Sequence, residues 1–119
     1  MAIFPVETKN VGLNALRAYS ANSVTDFQIS ALEADSDEAV VASSTAFNYA
    51  SASGGAITLP NDVVINVSAG KTITHLVIHK NTYPNMFRVV TVKLNTSEVF
   101  TYAGTITVET ATITLTDDV

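Results

Sequence analysis

The chain has 119 residues, no cysteine, 14% charged side chains and a formal net charge of −5. That length suits one domain, and the missing thiols exclude a disulfide scaffold, a thiolate zinc site and a cysteine nucleophile. The six Lys and Arg residues are scattered, whereas phosphate binding needs clustered cations, so neither nucleic acid nor an anionic membrane is an expected partner.

Residues 1–10 read as an extended arm. Pro5 disfavours helix at Phe4 and removes a backbone donor, yet Ile3, Phe4 and Val6 are apolar. The stretch MAIFPVETKN lacks a basic segment followed by an apolar run, so no secretory leader is expected. Val11 to Tyr19 is the one helix candidate. Val11, Ala15 and Ala18 fall on one side, with Leu13, Leu16 and Tyr19 close by, and Asn10 stands where a cap belongs.

From Val24 the period changes to two. Phe27, Ile29 and Ala31 alternate with Gln28 and Ser30, the pattern of a half-buried strand. Residues 33–44 read as an acidic loop returning as an edge strand through Val40 and Val41. Phe47 and Tyr49 start another short strand, and Ser51 to Gly55 makes a turn. Ile57 and Leu59 follow, then the alternation Val63, Ile65, Val67. Thr72 to Lys80 carries apolar groups on both faces and should be central. NTYPN at 81–85 is turn chemistry. Phe87 to Leu94, Val99 to Tyr102, Gly104 to Glu109 and Ala111 to Thr116 complete the set. Eight or nine strands, spaced about 8–12 residues apart, predict an all-β sandwich or barrel in one domain over residues 11–119, with one short N-terminal helix. The apolar stretches are too short to span a membrane as a helix.

No constellation for catalysis stands out, so no enzymatic activity and no cofactor are expected. His75 and His79 would share a strand face at about 13 Å, too far for one metal ion. Asp35, Asp37 and Glu38 resemble only the start of a calcium loop and read as a solvated loop. No Ser sits in GxSxG or SxxK, and Gly54-Gly55 has no GK[ST] after it. Tyr19, Tyr49, Tyr83 and Tyr102 suit cores and interfaces. Tyr83 and Tyr102, placed in loops, are the candidate glycan contacts of a carbohydrate-binding alternative.

The low charge carries more weight. An average soluble domain is about 25% charged; here Thr, Ser and Asn make up much of the polar surface. Such a surface is cheap to dehydrate, as interface cores are, which predicts a homo-oligomer. Closed cyclic symmetry is the expectation, with a trimer as first guess. The apolar arm and helix supply the candidate contacts Ile3, Phe4, Val6, Leu13, Leu16 and Tyr19.

The second half carries a resemblance. ASASGGAITL at 50–59 leads into VVINVSAGKTITHLVIH at 63–79, a turn follows, and FTYAGTITVETATITLTDD closes the chain at 100–118. This layout resembles short tailed-phage virion proteins commonly labelled phage tail fibre proteins. The resemblance rests on Gly70 in a hairpin turn, Thr72 to Ile78 as a core strand and Gly104 before a terminal strand. It implies a jelly-roll-like sandwich and a structural place in the virion, as a capsid decoration, cement or fibre subunit. The partners it implies are other copies of the chain and major capsid or tail proteins.

Overall fold

The computed structural model describes residues 6–18, 26–81, 86–109 and 111–114. It holds one α-helix, α1 (Val6–Ala18), and eight strands: β1 (Phe27–Leu32), β2 (Val40–Ser43), β3 (Ala56–Ile57), β4 (Val63–Val67), β5 (Lys71–Lys80), β6 (Phe87–Phe100), β7 (Gly104–Val108) and β8 (Ile113–Thr114). A single 3-10 turn, Asp37–Ala39, precedes β2. Among the described residues the protein is therefore mostly β with one short helix.

Three antiparallel sheets carry the strands: a four-stranded sheet in the order β2-β1-β5-β6, and the two-stranded sheets β3-β8 and β4-β7. Residues opposite each other in a ladder share a face. Phe27, Ile29 and Ala31 stand opposite Lys80, Ile78 and Leu76, and Leu76 and Ile78 stand opposite Val92 and Val90. That face of the sheet looks into the core. There it meets Val63, Ile65 and Val67 of β4, Ile57 of β3, Tyr49 and Leu13 of α1. β4 shows why alternation predicted it so cleanly: Val63, Ile65 and Val67 are buried, and Val64 and Asn66 between them are exposed.

β5 is central, as expected from its two apolar faces. Val77 and Leu32, on the face away from the main core, are also fully buried. The 33–39 segment folds back over that side. Asp35 and Asp37 both bind Arg88 of β6, and Glu33 accepts the backbone N–H of Thr72 at 3.0 Å. The acidic residues, expected to be merely solvated, act as a clamp because Arg88 lies within reach across the sheet.

Three boundaries differ from the sequence reading. The helix starts at Val6, so residues 6–10, expected as part of an extended arm, are helical, and residues 1–5 lie outside the described residues. Proline restricts the residue before it and is tolerated at a helix start, so nothing after Pro5 opposes helix. Asn10 is therefore inside α1, and its side chain accepts the Gly55 N–H at 2.9 Å rather than capping. Phe47 makes one bridge with Phe27, and Tyr49 lies outside any strand. Phe87–Leu94 and Val99–Tyr102 merge into the single strand β6. The break between them survives as a slip in register: Lys93 faces His75 and Glu98 faces Ile73, so residues 94–97 stand against Thr74 alone. Past this slip Ile73 joins the main core.

Two glycines fix the ends of this layout. Gly70, at φ +84°, turns β4 into β5 and donates its N–H to the Phe100 carbonyl at 2.7 Å. Gly104 lies under the Phe100 ring, where a Cβ would come within 3.1 Å of the ring carbons.

Candidate functional site

The helix named as a contact surface is docked on its own domain. Leu13 is 1% exposed and belongs to the core; it is not available as an intermolecular contact, which corrects that expectation. Leu16 also packs against the core, partly buried. Around them Asn10, Asn14 and Arg17 fall on one helix stripe, at i, i+4 and i+7. Each holds the backbone of the 49–55 segment: Asn10 binds Gly55 N–H, Asn14 binds Ala52 N–H at 3.0 Å and Arg17 donates to the Tyr49 carbonyl at 2.8 Å. Lys80, fully buried, donates from Nζ to the Arg17 carbonyl at 2.9 Å and lies 4.5 Å from the Phe27 ring centroid. A cation there complements the carbonyl end of the helix. Burial pushes its pKa below the usual lysine value. The broad apolar arc of this helix could not reveal this, because its polar residues serve a loop distant in sequence.

Of the remaining candidates, Ile3, Phe4, Tyr19 and Tyr83 lie outside the described residues, as does the side chain of Val6. Tyr102 sits in the β6–β7 turn and is 82% exposed. Tyr49 is buried in an edge-to-face cluster with Phe27 and Phe47. Its hydroxyl finds no partner among the described residues, and burial pushes its pKa up to about 12.

The two histidines serve different partners. His75 is half-buried and shares a 2.7 Å hydrogen bond with the Thr74 hydroxyl. His79 is buried and engaged at both nitrogens. Nδ1 donates to the Asn81 carbonyl at 2.6 Å, which leaves Nε2 to accept from Ser30 Oγ at 2.6 Å. Ser30 Oγ is also 2.7 Å from Ser43 Oγ. The pairing of serine and histidine resembles a nucleophile with its base. Ser30 is completely buried, however, so no substrate carbonyl can reach it, and the relay ties β1, β2 and the end of β5 together.

Burial lowers the His79 pKa, with the Asn81 carbonyl opposing the shift. Above the ordinary histidine value of about 6.5 the imidazole is neutral folded or unfolded. Below it the unfolded chain takes up a proton that the folded chain resists. Stability should therefore fall as pH drops through about 6.5 toward the folded-state value, by at most about 1.4 kcal/mol per pH unit. Urea unfolding between pH 8 and 5 tests this. The His79→Gln variant should show a flatter profile than the parent, and parallel profiles would refute the assignment.

The feature that invites a partner lies on the core-facing side, between β6 and the β7–β8 segment. An apolar groove of about 320 Å³ opens there, floored by Ile29, Leu76 and Ile78 and walled by Val90 and Val92 on one side and Val108 and Ile113 on the other. A second depression of about 210 Å³ continues past Leu76 to Leu94 and Ile106. Val90 and Val92 are exposed, Val92 at 46%. β6 has no ladder partner beyond β5, and β7 none beyond β4, among the described residues. Sequence reasoning missed this surface. Phe87 to Leu94 was legible as a strand, and only the sheet order shows it to be an edge.

Set against known proteins, the chain matches no family model, no curated protein and no solved structure. Its reading therefore rests on these residues and this geometry.

Proposed function

We propose that the chain is a structural subunit of a phage virion, most simply a capsid decoration, cement or head-fibre protein, that works by binding rather than catalysis. The observation that carries this is the open apolar seam along β6 on a domain of unusually low charge. A monomer that leaves valines and strand edges exposed together invites pairing. Copies arrayed on a symmetric particle turn modest contacts into firm attachment through multivalency. On this reading the partners are other copies of the chain and the major capsid or tail proteins, and the place of action is the virion. The three sheets are read as a jelly-roll-like sandwich whose side at β6 and β7 is completed by a neighbour. The resemblance of residues 50–118 to tailed-phage virion proteins supports the same assignment.

The test uses the full chain. Light scattering should give a closed homo-oligomer, and the protein should bind particles that lack it. Removing residues 1–5, and with them Ile3 and Phe4, should weaken particle binding while leaving the circular dichroism spectrum intact. The deletion stops short of α1. A monomeric chain that ignores particles would overturn the proposal, and unchanged binding by the truncated chain would remove the arm from it.

One observation favours a second reading, a lectin-like fibre tip or receptor-binding module. Tyr102, so exposed in its turn, has the flat apolar face that sugars stack on. Glycan-array binding abolished by Tyr102→Ala would support it, and an array without signal would discard it.

A further inference from the structure

We propose that β6 of one copy pairs with β2 of the next, head to tail, so that the four-stranded sheets join into one closed ring. This rests on the reading of the chain as a self-assembling subunit and says which surfaces meet.

β2 and β6 are the two outer strands of the sheet. Every neighbouring pair in it is antiparallel, so β2 and β6 run in opposite directions. Rotation about an axis along the strands therefore brings β6 of one copy beside β2 of the next in the antiparallel sense. No strand has to reverse. A heterologous contact of this kind closes into a ring when its rotation divides the circle.

The faces match as well. Ala42 shares the core face with Ala31, and Ser43 lies on the other face with Ser30. Val92 shares the core face with Leu76, and Thr91 lies on the other face with Val77. Setting Ala42 opposite Val92 sets Ser43 opposite Thr91, with apolar beside apolar and hydroxyl beside hydroxyl. Such cross-strand pairs are the units that stabilise a sheet. The lengths agree too. The register shifts of β6, at Val89 and at residues 94–97, bound its regular part to 90–93, and that stretch sets Thr91, Val92 and Lys93 opposite Ser43, Ala42 and Val41 of β2.

Charge fixes the direction. In this register Lys93 arrives at the start of β2, just past Asp37 and Glu38. Lys93 and Glu38 are both exposed, and neither makes an ion pair within its own chain among the described residues. Lysine on an edge strand ordinarily guards against pairing. Here the neighbouring copy presents an acidic turn to it.

A pair of cysteines tests the contact. The chain has none of its own, so Ser43→Cys combined with Thr91→Cys is a clean probe. Within one copy β1 and β5 separate these positions by three strand spacings, roughly 14 Å, beyond the span of a disulfide. Mild oxidation should yield one discrete covalent ring, of the size that light scattering gives for the parent chain. Each single variant should stop at dimers or below. Lys93→Glu should weaken association at low salt by about tenfold or more, and adding Glu38→Lys should restore it. A parent chain that stays monomeric overturns the pairing, as does an oligomer whose cysteines fail to bridge or one indifferent to Lys93→Glu. The virion reading fails separately: a bridged ring that ignores particles keeps the pairing and removes that reading, and an unbridged oligomer that coats particles does the reverse.

Discussion

Replacing Phe27 with Ala should cost about 3–5 kcal/mol, the usual range for emptying an aromatic site in a core. Phe27 is fully buried. Its ring meets Tyr49 edge-on at 4.9 Å and stacks near Phe47 at 6.1 Å. Its backbone exchanges two hydrogen bonds with Phe47, at 2.7 and 2.9 Å. The bridge fixes where the chain after β2 crosses the sheet, so the ring and the bridge hold the same place. Domains of this size are stable by about 5–15 kcal/mol, so the variant should lose a large share of the total. Urea unfolding would show the midpoint fall sharply. Phe27→Leu, which keeps much of the volume, should lose clearly less. A midpoint for Phe27→Ala within error of the parent would mean that the cluster contributes nothing.

Lys80→Ala should cost about 3 kcal/mol and act on α1 rather than evenly over the chain. The stem fills buried space beside Phe27, and the ammonium satisfies a helix carbonyl that has lost its intrahelical partner. Lys80→Met keeps the stem and removes the charge, so it isolates the second part and should cost about 1–2 kcal/mol. Hydrogen exchange gives the discriminating readout. Amides of α1 should lose protection in both variants before those of β5 do. Uniform loss over the whole chain would show that Lys80 supports the core and not the helix. The two sites touch, so Phe27→Ala and Lys80→Ala should not add when combined.

How much was legible in the sequence varies by residue. Val63, Ile65 and Val67 announced β4 because one face of that strand is wet, and alternation records that difference. Thr72 to Lys80 announced a central strand because both its faces are covered. The same logic failed at β6. Val89 packs against the core while Val90 and Val92 stay exposed, and nothing in the letters FRVVTVKL separates a covered strand from an edge. Leu13 and Leu16 were legible as apolar, but whether an apolar helix side meets its own sheet or another molecule is not a local property. Asn10 read as a helix cap, and nothing local marked Asn14 and Arg17; all three hold a loop more than thirty residues away.

The sequence alone determined the β class, the single helix, most strand positions and the low charge. These follow from side-chain period, turn chemistry and composition, which act over a few residues at a time. The tertiary structure decided the order of the strands, and through it which of them ended as edges. It also decided that His79 became a buried tie, that Asp35 and Asp37 became a clamp, and that one apolar side stayed open. Those outcomes depend on contacts between segments distant along the chain. Short-range patterns record that a residue prefers to be covered, and only the assembled fold settles what covers it.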